Sequence, residues 1–141
     1  QPSTALLTIA FVDNWHYWGF LATILLVALQ SVSPELYEAA KIDGANLRQQ
    51  FRYVTIPGIR PTLVFMFMMT SIWSFLVFEY VWVMSQGGPA GSTEVMATYL
   101  FKAAFREFSA GLAAAAGLTM TVFAGMIIGV FLVLRKKGWE I

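Results

Sequence analysis

One carboxylate lies inside an otherwise uncharged apolar segment of the chain. Glu79 belongs to the segment from residue 61 to residue 84, which is rich in aromatic and hydroxyl side chains. An ionisable group within a membrane-spanning segment is costly unless it has a partner or lines a hydrated cavity, so Glu79 is a candidate site residue. It lies about 7 to 8 Å from the end of the segment by helix rise, and a partly hydrated structural role is therefore also open.

Aromatic and hydroxyl residues accompany Glu79 at helical spacing. Steps of three or four residues place them on one stripe of a helix, which comprises Ser71, Ser74, Phe75, Phe78, Glu79 and Trp82. Aromatic faces stack on the C–H faces of sugar rings, and hydroxyl and carboxylate groups bond the ring hydroxyls. The predicted contacts of a sugar path are Ser74, Phe75, Phe78, Glu79 and Trp82. Packing against a neighbouring membrane helix explains the same pattern nearly as well.

The composition places these residues in a membrane protein. Of the 141 residues, 58% are hydrophobic and 12% are charged, and the mean hydropathy of +0.67 is too high for a soluble domain. A formal net charge of +1 provides no basic face for nucleic acid. The chain lacks cysteine and has one histidine, so we expect no enzymatic site and no metal site.

Three apolar segments are long enough to cross a bilayer. Residues 15–32 form the shortest, while residues 61–84 and 110–134 are long enough to cross with tilt. The predicted fold class is an all-α integral membrane protein with three transmembrane helices, joined by connectors at 33–60 and 85–109. The chain begins at Gln1 without an initiator Met or a signal-peptide pattern, so we expect it to be a part of a longer protein.

The distribution of Lys and Arg predicts the orientation. Seven of the nine basic residues lie in the first connector or the tail, namely Lys41, Arg48, Arg52, Arg60, Arg135, Lys136 and Lys137. The positive-inside rule therefore places the first connector and the C-terminus in the cytoplasm and the start of the chain outside. Trp15, Tyr17 and Trp18 are then expected in the outer aromatic belt.

The first connector has the pattern of two short helices. Ser33 and Pro34 predict a helix start, and Gly44 can adopt the left-handed conformation that ends a helix. Asn46 can cap a second helix with Gln49 as its capping-box partner. We expect Pro57 and Pro61 to close this segment, so that both helices lie across the membrane axis. An amphipathic pair lying in the lipid headgroups would have the same periodicity.

The sequence of the first connector resembles the EAA loop of ABC-importer permeases. Glu38-Ala39-Ala40 is followed after three residues by Gly44 and after nine more by Val54-Thr55-Ile56-Pro57. The family pattern is E-A-A-x3-G-x9-I-x-L-P, from which Val54 and Ile56 depart conservatively. Asp43-Gly44-Ala45 and Phe51 are similar to the carbohydrate branch, which includes maltose-, lactose- and glycerol-phosphate-type transmembrane subunits.

A second match lies in the other connector. Gly87-Gly88-Pro89, followed by Ser92-Thr93, is similar to the outer-face wording of the same permeases, T-x-G-G-P, with Ser85 in place of the Thr. The resemblance runs from about residue 13 to residue 134 and covers the C-terminal half of a typical six-span permease core. Lys102, Arg106 and Glu107 then lie on an outer helix where the family meets its binding protein, although a merely solvated face is an equal alternative.

The resemblance implies a transmembrane subunit of a binding-protein-dependent importer in a prokaryotic inner membrane. It assigns docking of a cytoplasmic ATPase subunit to Glu38, Ala39, Ala40, Asp43 and Gly44. ATP would be bound by the ATPase subunits, so no cofactor is expected in this chain. The other implied partners are a second permease subunit, which the GGP wording suggests is different from this one, an extracytoplasmic substrate-binding protein, a sugar and membrane lipid.

Small residues in the third span, including Gly117 and the Gly125-x-x-x-Gly129 spacing, predict close helix packing without chemistry.

The alternative function is a proton-coupled secondary transporter that uses Glu79, which would leave the docking pattern of the connector unexplained. The identity of the sugar is not predicted, because the binding protein and the other half of the permease contribute to selection.

Overall fold

The computed structural model describes the backbone of residues 2–136 and the side chains of residues 4–134. The helices in chain order are α1 (Pro2–Gln30), α2 (Pro34–Ile42), α3 (Leu47–Gln50), a π-helical turn (Phe51–Thr55), α4 (Ile56–Leu76), α5 (Glu79–Met84), α6 (Met96–Phe105) and α7 (Ala110–Lys136). No strand occurs between residues 2 and 136, so the predicted all-α class is confirmed. Lys137 of the basic tail lies outside the described residues, as do the side chains of Arg135 and Lys136.

Two helical segments are long and apolar enough to cross a membrane. They are Leu47–Met84 and Ala110–Leu134, and a third is present if Thr4–Gln30 and Pro34–Ile42, which meet at a bend of 64°, are counted as one span. Many of the large apolar side chains of these segments are exposed and few are buried, as expected of helices that face lipid. These properties are those of a multi-pass membrane protein.

The first helix is longer than the sequence predicts. It begins at Pro2, whereas the predicted span begins at residue 15. The polar residues before residue 15 do not end the helix, because their side chains bond carbonyl groups one turn earlier. Thr8 Oγ1 donates to the Thr4 carbonyl at 2.9 Å, and Asn14 Nδ2 donates to the Ala10 carbonyl at 2.7 Å.

The caps predicted for the first connector are confirmed. Ser33 precedes α2, and its hydroxyl accepts a hydrogen bond from the Glu35 amide at 3.3 Å. Gly44 follows α2 with φ of +78°, the left-handed conformation that ends a helix. Asn46 and Gln49 form a reciprocal capping box, with distances of 2.8 and 3.0 Å. Local side-chain chemistry therefore sets the ends of α2 and the start of α3.

The prediction that Pro57 and Pro61 close the connector is wrong. The helix that begins at Leu47 continues through the π-helical turn into α4, which contains both prolines. Pro57 lies in the first turn of α4, and the wider π-helical turn directly before it changes the hydrogen-bond register where the proline has no N–H to donate. The second connector helix is therefore the beginning of the second span, and α2 is the separate helix of the connector.

The second predicted span, residues 61–84, is interrupted. Val77 and Phe78 leave the helical conformation, with ψ of 121° at Val77 and φ of −132° at Phe78, and α5 begins at Glu79. Neither proline nor glycine occurs at the break, so the sequence carries no local signal for it. The third predicted span, residues 110–134, agrees with α7.

Two small buried clusters hold the helices together. Ala28, Val32 and Ile59 join α1 and α4 beside α2. At the other end of α4, Val81, Thr93, Thr98 and Ala103 are almost completely buried between α5 and α6. Between the clusters, Trp73 of α4 stacks on Tyr17 of α1 with ring centroids 4.9 Å apart. Helix α4 therefore links the two buried clusters.

Only part of the small-residue pattern of α7 is used for packing within the described residues. Ala116 is buried, and a Cβ at Gly117 would lie 3.4 Å from Leu100 Cδ1 of α6. A Cβ at Gly125 or at Gly129 would have no neighbouring atom within 4 Å, so their face is open within residues 2–136. The predicted use of Gly117 in close packing is confirmed, and that of the Gly125–Gly129 spacing stays a prediction.

Candidate functional site

The predicted docking residues lie together at the exposed end of α2. Glu38 and Ala39 are exposed, Ala40 is half-buried, and Asp43 ends the helix with its amide donating to the Ala39 carbonyl at 3.0 Å. The amide of the residue after Gly44 donates to the Ala40 carbonyl at 2.9 Å, which closes the turn. Small side chains and a tight turn leave this edge of α2 open to close approach by another protein.

Two large apolar side chains lie beside the predicted docking residues, and neither was predicted as a site residue. Ile42 is 86% exposed and Leu47 is 80% exposed, on either side of the Asp43–Gly44 turn. Side chains this apolar at a turn rich in charged residues provide contact area for a partner. Only their position in the sequence could have indicated them, because each residue flanks the predicted turn. We call the segment Glu38–Gly44, which includes Ile42, together with Leu47 the docking edge.

A cleft opens at the other end of α4, where the helix breaks. It encloses about 230 Å³, and its walls include Asp13 and Tyr17 of α1, Trp73 of α4, and Phe78, Glu79 and Tyr80 at the break. Asp13 and Glu79 are both close enough to the Tyr17 phenol to act on it electrostatically. Two carboxylates and several aromatic rings therefore converge on one opening.

The break brings some of the predicted path residues into the cleft and turns others away. Phe78 and Glu79 line it, whereas Ser74, Phe75 and Trp82 do not. The predicted single stripe is therefore wrong as a description of the helix, because α4 and α5 are not one continuous rod. Glu79 itself is exposed and begins α5, where the helix dipole favours its negative charge.

The three excluded residues have contacts elsewhere. Ser74 Oγ donates to the Ser71 carbonyl at 2.8 Å, and Phe75 stacks on Phe123 of α7 at 5.5 Å with nearly parallel rings. Trp82 packs edge-on against Phe101 of α6 at 4.6 Å. Phe75 and Trp82 therefore join α4 and α5 to their neighbours, which is the packing alternative considered for the stripe.

Six residues of the cleft are absent from the predicted contacts. They are Asp13, Tyr17, Trp73, Leu76, Val77 and Tyr80, of which Tyr17 is predicted to lie in an aromatic belt. Their sequence separation hides the relationship, because α1 and the helix break lie far apart along the chain. The one available signal is Asp13, a carboxylate at the end of the apolar run of residues 5–12.

The GGP connector is folded around hydroxyl groups and an ion pair. Ser85 Oγ and Thr93 Oγ1 lie 2.7 Å apart, and Thr93 Oγ1 donates to the Gly88 carbonyl at 2.8 Å. Lys102 pairs with Glu94, whose other oxygen accepts from Thr98 Oγ1 at 2.9 Å. The Ser at position 85 therefore supplies the hydroxyl that the family pattern provides with Thr.

The basic residues of the outer helix are used within the protein. The side chain of Lys102 is 22% exposed and is held by Glu94. The Arg106 guanidinium lies 4.9 Å from the centroid of the Trp82 ring, and its Nη2 donates to Gln86 Oε1 at 3.3 Å. Both charges therefore have partners within the protein, although Arg106, like Glu107, is exposed, and the choice between a binding-protein contact and a solvated face stays open.

The described residues contain no group of three or more His, Asp or Glu side chains placed to hold a metal ion. An open cleft with carboxylate and aromatic walls, an exposed connector helix and long apolar helices together define a membrane transport component.

The chain belongs to the family of binding-protein-dependent transport system inner membrane components, whose profile matches residues 2–137. This family supplies permease components of transporters, as predicted, and the chain is a multi-pass membrane protein of that family. The proton-coupled alternative receives no support from this membership.

Named relatives agree with the family. The chain is 37% identical over 115 residues to the probable ABC transporter permease protein YurN of Bacillus subtilis, covering 82% of this chain and 39% of YurN. It is 32% identical over 137 residues to the inner membrane ABC transporter permease protein YcjO of Escherichia coli, covering 97% of this chain and 44% of YcjO. The chain thus spans less than half the length of these two relatives.

A shorter relative is matched almost end to end. The putative ABC transporter permease protein ORF1 of a Caldicellulosiruptor species is 34% identical over 139 residues, which cover 97% of this chain and 99% of that protein. All three relatives bear the name of ABC transporter permeases.

Proposed function

We propose that this chain is part of a transmembrane permease subunit of an ABC importer that is driven through the docking edge of α2. The observation that carries the proposal is the Glu38–Gly44 segment at the end of α2, which has the E-A-A-x3-G motif and exposes Glu38, Ala39 and Asp43. The helix that carries it is capped at both ends, by Ser33 and by Asp43.

The chemistry of the docking edge fits a groove in a cytoplasmic ATPase subunit. Ala39 and Ala40 permit close approach of the two backbones, and Glu38 can accept a charge-assisted hydrogen bond from a partner cation. Ile42 adds buried apolar area when a partner covers it. ATP binds to and is hydrolysed by the partner, and closure of two such partners moves the docking edges as rigid bodies.

The cleft supports a sugar or sugar-like solute as the cargo. Carboxylate oxygens of Asp13 and Glu79 accept hydrogen bonds from hydroxyl groups, and the rings of Phe78 and Tyr80 offer apolar faces to C–H groups. This mixture of polar acceptors and aromatic faces is typical of sites for neutral polyhydroxylated solutes. We therefore infer that Phe78 and Glu79 contact the solute, together with Asp13.

The proposed assembly has the predicted orientation. The first connector and the C-terminal tail are cytoplasmic, and the GGP connector and the cleft face the outside, where an extracytoplasmic binding protein delivers the solute. A second, different permease subunit completes the path. Exposed apolar faces such as that of Phe11, Trp15 and Trp18 contact lipid or the remaining permease helices.

Site-directed crosslinking tests the proposal. A single Cys replaces Ala40 in the full-length permease, and Cys-bearing candidate ATPase subunits are co-expressed with it in membranes, with and without ATP. We expect a specific crosslink whose yield depends on nucleotide. A matched Cys at Gly111, which is exposed at the start of α7, is the control and should give no crosslink. Absence of any crosslink at Ala40 in the inserted protein would contradict the proposal.

A further inference from the structure

A hydrogen bond joins α2 to the π-helical turn. The Tyr37 hydroxyl and Thr55 Oγ1 lie 2.9 Å apart, although the residues are 18 positions apart in the chain. Thr55 is buried, with 7% of its surface exposed, so this bond is shielded from competing water. Tyr37 therefore ties the helix that carries the docking edge to the first turn of the long helix.

A close packing contact lies beside this bond. A Cβ atom at Gly58 would lie 2.8 Å from Cγ2 and 3.3 Å from Cγ1 of Val32, which is itself buried. Valine has a stiff side chain, so it does not turn away from an added methyl group. Only glycine at position 58 permits α4 to approach the segment between α1 and α2 this closely.

Both contacts belong to one cluster. Ala28, Val32 and Ile59 form its buried centre, and the half-buried side chains packed against it are Leu25, Tyr37, Val54 and Leu63. Three elements therefore meet at one point: the end of α1, the helix α2, and the beginning of α4. The docking edge lies just beyond, on the exposed side of α2.

We propose that Tyr37, Thr55, Val32 and Gly58 form a coupling joint, in which they act as positioning residues that make α2 move as one body with α4. This inference rests on the proposed function. Displacement of the docking edge by a partner is transmitted through the Tyr37–Thr55 bond and the Val32–Gly58 contact. Without them α2 would pivot on the short link of residues 31–33, and the displacement would be absorbed there.

The helix that receives the displacement reaches the cleft. From Thr55 to Trp73, the α4 rod extends about 27 Å by helix rise, and Trp73 is a wall of the cleft. Trp73 also stacks on Tyr17 of α1, so movement of α4 relative to α1 changes the cleft directly. The joint at one end of α4 and the cleft at the other are therefore mechanically connected by a single helix.

The test separates docking from transmission by two readouts in the same full-length permease, assembled with its ATPase subunit in membranes. Docking is the nucleotide-dependent crosslink at a Cys replacing Ala40. Transmission is the nucleotide-induced change in the rate at which a membrane-impermeant maleimide labels a Cys at Leu76, an exposed wall residue of the cleft. The present sequence contains no cysteine that would add background labelling.

The hydrogen bond is tested first. Tyr37→Phe and Thr55→Val remove it with little change of shape, while Thr55→Ser keeps the hydroxyl group. We expect the nucleotide-induced change in Leu76 labelling to fall about threefold to tenfold in Tyr37→Phe and Thr55→Val, the factor that corresponds to one hydrogen bond of ordinary net strength. Thr55→Ser should retain the response. Tyr53→Phe, at an exposed tyrosine of the same π-helical turn, is the matched control and should be unchanged.

The packing contact is tested by a compensating pair. Gly58→Ala forces a methyl group against Val32 and should lower the labelling response with the crosslink intact, while Val32→Ala in the same chain provides the missing space and should restore the response. Gly19→Ala, whose Cβ meets no atom within 4 Å, is the control.

The outcomes distinguish this inference from the proposed function. If the unsubstituted protein forms no crosslink at Ala40, the proposed function fails. If that crosslink forms and all joint variants keep the full labelling response, the coupling joint is overturned while the function stands. Loss of the crosslink itself in Tyr37→Phe would also overturn it, because the residue would then shape the docking edge and not transmit its movement.

Discussion

Glu94 and Lys102 form an ion pair that passes directly over Gly87. A Cβ at Gly87 would lie 2.5 Å from Glu94 Oε2 and 2.7 Å from Lys102 Nζ, and the residue itself has φ of +86°. The first glycine of the GGP motif is therefore favoured by its left-handed backbone, and the ends of the two paired side chains occupy the space beside it. The pair and the glycine together hold α6 against the connector.

This relationship predicts that Gly87→Ala destabilises the permease. The new methyl group must push aside the ends of the flexible Glu94 and Lys102 side chains, so we expect a loss of about 1 kcal/mol beyond the cost of the left-handed backbone, the size of a partly exposed ion pair. The thermal unfolding midpoint of the purified protein in detergent measures it. Gly91→Ala is the matched control, since Gly91 has φ of +77° but open space around its Cβ position. Equal midpoints in the two variants would show that crowding at Gly87 is absent.

Glu38→Lys is expected to uncouple ATP hydrolysis from uptake. The substitution reverses the charge that the docking edge offers to a partner, and loss of one charge-assisted hydrogen bond weakens association on the order of tenfold. Uptake per ATP hydrolysed, measured in membranes with equal amounts of inserted permease, reports the change. Arg52→Glu, a charge reversal at an exposed residue of the π-helical turn outside the docking edge, should leave the ratio unaltered. Normal coupling in Glu38→Lys would argue against docking at this edge.

Gly44→Asp is expected to disturb the same edge through the backbone. Gly44 has φ of +78°, and a side chain there is strained even though the surrounding space is open. We expect a shift of the Asp43–Gly44 turn that costs about 1 to 2 kcal/mol, with insertion into the membrane preserved. Crosslinking at Ala40 should decrease in parallel with uptake. Full crosslinking together with full uptake would exclude a role for this turn.

Glu79→Gln and Asp13→Asn are expected to reduce solute uptake without loss of expression. Each removes a carboxylate from the cleft, and a hydrogen bond to a charged group corresponds to a change on the order of tenfold. Uptake of a panel of labelled neutral sugars is the measurement, with Glu35→Gln, at an exposed acid outside the cleft, as the control for loss of a negative charge. Unchanged uptake in both cleft variants would show that Glu79 and Asp13 have a structural role and do not contact the solute.

Trp82→Ala is expected to affect stability more than solute preference. Trp82 lies outside the cleft but stacks on Phe78, a cleft wall, and packs on Phe101 and under the Arg106 guanidinium. Removing this half-buried aromatic side chain should cost about 2 to 3 kcal/mol, below the cost for a fully buried one. The unfolding midpoint should fall. Trp82→Phe retains a ring that supports Phe78, so it should keep most of the stability and the same order of preference among sugars. A changed order of preference in Trp82→Phe would indicate that Trp82 itself contacts the solute.

Much of the fold follows from local patterns in the sequence. Ser33, Gly44 and Asn46 mark helix ends through hydrogen bonds and backbone conformations that involve their near neighbours, so their roles are readable from the chain alone. The apolar length of residues 110–134 likewise predicts a spanning helix. Pro57 and Pro61 are exceptions, because Pro57 falls in the first turn of α4 after the π-helical turn, and α4 continues through Pro61.

The sequence by itself predicts the membrane class, the helix caps of the first connector and the motif of the docking edge. Each of these depends on composition or on residues that lie close together in the chain. The break at Val77–Phe78, the union of Asp13 with Glu79 in one cleft, and the Tyr37–Thr55 joint arise only when the chain folds. These depend on contacts between distant segments, and side chains that pack against another helix leave no periodic signal of their partner in either segment.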